Sequence, residues 1–176
     1  MVALEGGLDD ATCAALARGE TRIRAHALAD ALVVHMGHPE AGRLSMVRSV
    51  RIAVHPELRR LGLARMLVEH VHASYRPDLF GTLFGATADL IAFRRSLGYR
   101  LVRVSASRGA RTGEPSVVMV RPESAAAHAL CRDLERELAR DLPFQVALMT
   151  ADGDLLEPEL GAALEAAPTP MSDAAA

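Results

Sequence analysis

The chain has 176 residues, half of them hydrophobic, and a formal net charge of −2, which fits one ordinary globular domain or a domain with a tail. No apolar stretch approaches the ~20 residues of a membrane span, and the opening MVALEGGLDD has neither the basic region nor the long apolar core of a secretory signal. The cysteines, Cys13 and Cys131, share no CxxC or histidine spacing, so they read as small apolar fillers in a reducing, cytoplasmic compartment.

In chain order, MVALEG reads as a short strand ending at Gly6-Gly7, followed by a helix over Asp9–Arg18 that Gly19 closes. A second helical stretch covers roughly Leu28–Met36. SVRIAV, residues 49–54, is β-branched and bounded by Pro56, which predicts a strand. The next helix is expected to start near Glu57, with Leu63, Met66, Leu67 and Val71 forming one buried stripe. LFGTLFGA, residues 79–86, alternates bulky and small residues as a strand does, and its glycines predict close approach by a neighbour. Thr87 is a suitable N-cap for a helix carrying Leu90, Ile91 and Leu97, and Gly98 ends it. YRLVRVSA and PSVVMVRP, 99–106 and 115–122, read as strands joined by an arginine-bearing loop. Residues 123–142 predict an amphipathic helix and Pro143–Met149 a further strand. The sum is an α/β layer architecture. Residues 1–122 form its core, 123–167 a helical C-terminal extension and 168–176 a disordered tail.

Charge is unevenly spread. All 20 basic residues are arginine; 16 of them fall in residues 1–113 against 10 acids, whereas residues 114–176 carry four against 12. Six arginines and no acid lie between Arg94 and Arg111. Such a run suits phosphates of a nucleotide or nucleic acid. A solvated surface balanced by the acidic C-terminal helix is the competing reading.

The stretch HPELRRLGLARML, residues 55–67, places a glycine where a helix begins, at a cost of about 1 kcal/mol against alanine in a helix interior. A helix N-terminus leaves backbone N–H groups unpaired and carries roughly half a positive charge. A phosphate satisfies both if it can come close. Gly62 and the small Ala64 leave that space, and Arg59 and Arg60 add charge at its rim. R-x-x-G-x-A alone is a weak pattern; its position directly after a predicted strand strengthens it.

Together with the second strand–helix unit ending in FRRSLGY, this motif resembles the GCN5-related N-acetyltransferase (GNAT) family, whose Q/R-x-x-G-x-G/A loop grips the pyrophosphate of acetyl-CoA. Arg59, Gly62 and Ala64 fall on the three defining positions. LEGGLDD, IAVHP, FGATADLIAFRRSLGYRLVRV and RTGEPSVVMVRP resemble, within that family, the acetyltransferase module of the tRNA(Met) cytidine acetyltransferases, from about Leu4 to at least Pro143.

The resemblance implies a GNAT-like mixed β-sheet flanked by helices, here without the first strands and helices of that fold. It implies acetyl-CoA bound by Ile52, Ala53 and Val54 along the thioester, by Arg59, Arg60, Leu61, Gly62, Leu63 and Ala64 at the pyrophosphate, and by Asp89. The pantetheine arm would lie between the VRIAV and LFGTLFGA strands, splayed apart, with acetyl transferred to N4 of a tRNA cytidine. A backbone N–H near Val54 would serve as oxyanion donor. ATP would be used only by a separate helicase-like module, on another chain or in a missing part of the same protein, because no G-x-x-x-x-G-K-[ST] loop is present.

Direct attack of an amine on the thioester needs a positioned amine and management of its proton. His55 is placed for proton transfer, with hydrogen bonding in the turn before Pro56 as its alternative. Glu57 is a second base candidate or a dipole-complementing carboxylate. Tyr99 is either the donor to the leaving thiolate or a core tyrosine. The remaining histidines have no metal spacing. Arg100, Arg103, Arg108 and Arg111 form the candidate RNA-facing surface, with no membrane partner. Two other readings stay open: a GNAT enzyme acting on a protein or small-molecule amine, and a non-catalytic remnant binding RNA or a partner.

Overall fold

The computed structural model describes residues 1–108, 113–151 and 156–166. In chain order they form β1 (Val2–Gly6), α1 (Asp10–Ala17), α2 (Ala27–Asp30, continuing as a π-turn over Ala31–His35), β2 (Ser45–Ser49), α3 (Leu63–Ser74), β3 (Leu79–Gly85), α4 (Ala88–Arg95), β4 (Arg100–Arg108), β5 (Pro115–Pro122), α5 (Ala125–Ala151) and α6 (Pro158–Glu165). Short 3₁₀ turns at Pro39–Arg43 and Pro56–Leu58 precede β2 and α3.

The five strands make one mixed sheet in the order β1-β2-β3-β5-β4. Only β2 and β3 run parallel, as a strand–helix–strand connection through α3 requires. Strand alternation sends neighbouring residues to opposite faces. Val47, Phe80, Val117 and Met119 join one apolar cluster with Val68 of α3, Ile91 of α4 and Leu160 and Leu164 of α6. Met46, Leu79, Val118 and Val120 join the other with Leu28 and Leu32 and with Leu130 and Leu134 of α5. Burying each large side chain fully is worth roughly 1.5–3 kcal/mol. In β4 a register shift between Leu101 and Arg103 leaves Val102 out of the ladder, so Leu101 and Val104 face one cluster and Val102 the other.

Gly81 lies directly against α2. A Cβ there would lie 2.3 Å from Leu28 Cδ2, so the Leu28 side chain would have to shift. Glu5 fixes the start of α2 from below. Its side chain is fully buried, pairs with Arg48, and accepts from the Leu28 and Ala29 amides at 2.7 and 3.4 Å.

Three elements depart from the sequence expectation. The strand expected at 49–54 lies at Ser45–Ser49, because the ladder with β3 ends at Ser49↔Thr82. Residues 50–54 have strand-forming side chains but no partner strand. The helix expected from Glu57 starts at Leu63, since residues 59–62 form a loop in which Arg60 and Gly62 have φ of 64° and 80°. Its buried residue is Val68, while Met66 and Leu67 are exposed. Pro143–Met149 continues α5 instead of forming a strand. Leu142, Val146 and Met149 recur at helical spacing and meet the cluster that holds Val47 and Phe80. The sequence-predicted tail at 168–176 lies outside the described residues.

Candidate functional site

The site grows from the point where two parallel strands part. Beyond Ser49↔Thr82, β3 continues to Gly85 paired only with β5. The chain leaving β2 runs extended through residues 50–54, held at its start by the Val50 and Arg51 amides donating to the Met1 carbonyl at 3.1 and 3.4 Å. Ile52 and Val54 are half-buried and Ala53 exposed. A fork thus opens between residues 50–54 and the Leu83–Gly85 end of β3.

The extended segment leads through the Pro56–Leu58 turn to the N-terminus of α3. Its first intrahelical bond joins the Met66 amide to the Gly62 carbonyl at 3.0 Å. The Leu63, Ala64 and Arg65 amides therefore have no intrahelical acceptor, and no side chain caps them. Gly62 is left-handed at φ 80°, and a Cβ there would meet nothing within 4 Å. The glycine is thus required by backbone conformation, with open space beyond it, and it precedes the helix instead of weakening its first turn. Arg59, Arg60 and Leu61 are exposed around this opening, and Leu63 and Ala64 are half-buried.

Asp89 is exposed in the first turn of α4, whose cap is Thr87 Oγ1 accepting from the Leu90 amide at 3.3 Å. The His55 side chain is 65% exposed, makes no hydrogen bond to the turn at Pro56, and lies 3.9 Å from the Glu57 carboxylate. Tyr99 is enclosed. It is 3% exposed, and its hydroxyl lies 3.1 Å from His72 Nε2 inside the core. Burial raises its pKa, partly opposed by Arg94 and Arg121. The core alternative is the one this geometry fits.

The arginine run is divided among structural tasks. Arg100 pairs with Glu135 of α5 at 2.7 Å, both side chains largely buried, so it does not belong to an open basic face. Arg95 donates to the Ala163 and Ala166 carbonyls at the end of α6. Arg103 is half-buried. The Arg108 side chain and Arg111 lie outside the described residues.

Arg94 is the residue that sequence reasoning overlooked. It is 7% exposed, donates from Nη2 to Ser49 Oγ at 3.1 Å, and lies 5.1 Å from the Tyr99 ring centroid. Its Nη1 is buried without a partner. The signal was available: Arg94 is three residues from both Ile91 and Leu97, which places it on the inward stripe of α4.

A groove of about 480 Å³ opens at the other end of α3, lined by His72, Tyr75, Asp78, Phe80 and Glu123. Both His72 ring nitrogens are engaged, one with Tyr99 and one with Arg121. Burial and the neighbouring Arg121 and Arg94 charges hold its pKa at about 4. The ring is therefore neutral at physiological pH. Cys13 and Cys131 are buried, with burial pushing the Cys131 thiol up to about 12, which suits apolar filling and not thiolate chemistry.

The parallel pair that forks before an uncapped helix, set in a helix-flanked mixed sheet, defines a GNAT-type α/β module. Comparison with known proteins makes the relationship specific. The chain is 34% identical over 165 residues, 92% of its length, to the tRNA(Met) cytidine acetyltransferase of Nitrosococcus halophilus. It is 37% identical over 132 residues to the enzyme of the same name from Haloarcula marismortui and 34% over 140 residues to that of Yersinia pestis. It spans about a fifth of these relatives, 22%, 17% and 20% of their lengths. The protein is thus a GNAT module related to one segment of the tRNA(Met) cytidine acetyltransferases. Among solved structures, the ribosomal-protein-S18-alanine N-acetyltransferase of Escherichia coli aligns with 45% of the chain, and 55% of its own, at 27% identity and a TM-score of 0.41. No protein-family profile matches the chain. Among the described residues, no helix is long and apolar enough to cross a membrane.

Proposed function

We propose that this protein binds acetyl-CoA at the fork and transfers the acetyl group to N4 of a tRNA cytidine. One observation carries the cofactor half: α3 presents uncapped amides behind a left-handed Gly62 with open space beyond its Cα, beside the gap between residues 50–54 and β3. The pyrophosphate would meet the Leu63, Ala64 and Arg65 amides, with Arg59, Arg60 and Leu61 at the rim and Asp89 on the facing helix start. The backbone of Ile52, Ala53 and Val54, released from the β3 ladder, has amides free to hold the arm in the gap. The cytidine half is supported by the named activity of the relatives, one of which aligns over 92% of the chain.

When bound, the thioester supplies the acyl group: the new C–N bond forms as the C–S bond breaks. The protein's part is to align the two and to remove the proton that the amine loses. In this reading an amide near Val54 donates to the developing oxyanion. His55, exposed at the end of the extended segment, is the proton acceptor in this reading. Tyr99, enclosed and bonded to His72, supports Arg94 instead of protonating the thiolate. A tRNA partner, a cytoplasmic setting and a helicase-like ATPase module acting with this one follow from the same reading.

Incubating tRNA with the protein and acetyl-CoA, then digesting it to nucleosides, is the direct test. Formation of N4-acetylcytidine is expected, and His55→Ala should reduce its rate by about 10²–10⁴-fold, the range of acid–base contributions. Acetyl-CoA binding without the modified nucleoside would refute the cytidine assignment, and acetylation of an added amine would redirect it.

A further inference from the structure

Arg94 carries bonding capacity that the fold leaves unused. Its guanidinium lies against Ser49, the last β2 residue paired with β3, and therefore at the vertex of the fork. Around it stand the Tyr99 and Phe93 rings, 5.1 and 5.8 Å from its central carbon, and the neutral Tyr99 hydroxyl. Among the described residues no carboxylate pairs with it, unlike Arg48 with Glu5 or Arg100 with Glu135. Among the described residues the enclosed charge thus has no counter-charge, and Nη1 has no acceptor. Buried polar groups are almost always bonded, and an enclosed charge without a partner is disfavoured. Ser49 and the Tyr99 hydroxyl engage part of the guanidinium, which offers five N–H groups, and those on Nη1 stay unused. Donors in excess at the apex of an opening between two strands suit a ligand that brings acceptor oxygens there.

We infer that Arg94 is a binding contact for the acyl-bearing arm of the cofactor, donating from Nη1 to a carbonyl oxygen at the vertex of the fork. This rests on the acetyl-CoA reading above and adds a second anchor to it. The α3 N-terminus holds the anionic part at the mouth, and Arg94 holds the neutral, carbonyl-bearing arm at the apex. A carbonyl fits better than a phosphate, because the gap between two strand backbones admits an extended chain but not a hydrated dianion.

The test compares acetyl-CoA with adenosine 3′,5′-bisphosphate, which has phosphates but no arm, by calorimetry on wild-type protein, Arg94→Met and Arg94→Lys. Arg94→Met should bind acetyl-CoA about tenfold more weakly and the bisphosphate equally well, with Arg94→Lys in between. A melting curve on each variant verifies folding. In wild-type protein labelled with ¹⁵N-arginine, acetyl-CoA should shift the Arg94 guanidinium resonance and the bisphosphate should not, which needs no variant to fold. Unchanged acetyl-CoA affinity in a folded Arg94→Met, equal loss for both ligands, or an unmoved resonance on saturation would overturn the contact while leaving the cofactor reading intact. Failure of wild-type protein to bind either ligand would overturn both.

Discussion

Two helices flank the fork, and they begin differently. At α4, Thr87 accepts from the Leu90 amide, as Asp9 does from Thr12 at α1, Ser124 from Ala127 at α5, and the buried Glu5 from Leu28 at α2. At α3 the N-cap is Gly62, which has no side chain to offer. Helix α6 also has no side-chain cap, but Pro158 in its first turn removes one amide from the problem. A side-chain cap contributes about 1 kcal/mol, so leaving α3 without one costs stability and keeps its amides available. The contrast teaches where the chain keeps bonding capacity for something other than itself.

The largest effect is expected at the most enclosed cap. Glu5→Gln removes the carboxylate that serves both α2 and Arg48 and should destabilise the fold by about 3–5 kcal/mol, on the order of 10 °C in melting temperature. A change under 2 °C would show that the cap is not needed. Gly62→Glu attacks the opposite case, placing a carboxylate before the free amides and forcing a left-handed conformation. Acetyl-CoA affinity should fall about 100-fold, or ~2.7 kcal/mol; equal binding heats from the two proteins would remove α3 from the site. Thr87→Ala should cost about 1 kcal/mol of stability in denaturant titration while leaving acetyl-CoA affinity unchanged. If affinity falls as well, the division between capped and open helices fails.

A separate effect, read in pH and not in affinity, concerns the far end of α3. His72 has a pKa of about 4 in the fold against an ordinary 6.5. Between those values the unfolded chain holds a proton that the folded chain lacks, so stability is full above pH 6.5 and declines as pH falls toward 4. His72→Gln should flatten that decline in melting temperature between pH 6.5 and 4. An unaltered slope would assign the acid sensitivity to other groups.

What was legible in the sequence were features written locally. Gly62 with Ala64 two residues on, the Thr87 cap, and the helix-closing Gly19 and Gly98 each depend on a few adjacent residues. The boundaries of β2 were not legible, because Val50, Ile52 and Val54 favour extended backbone whether or not a neighbour pairs with them; the ladder stops at Ser49↔Thr82, with a partner strand far along the chain whose course only the fold fixes. Arginine burial was hidden for the same reason. Arg94 and Arg100 read as surface charge until α5 supplies Glu135 to one and Tyr99 encloses the other. Pro143 misdirected the reading of α5, since proline more often ends a helix than continues within one.

The sheet's two margins differ in a way that bears on assembly. At β4 the ladder is broken by register shifts, and α5 reaches past that strand, with Leu130 and Leu134 in one cluster and Leu142 and Met149 in the other. At β1 the register with β2 is unbroken over five consecutive pairs, and Leu4 is 68% exposed. Irregular, covered margins resist the addition of foreign strands, and regular ones accept them. The sheet therefore has a growing side and a sealed side.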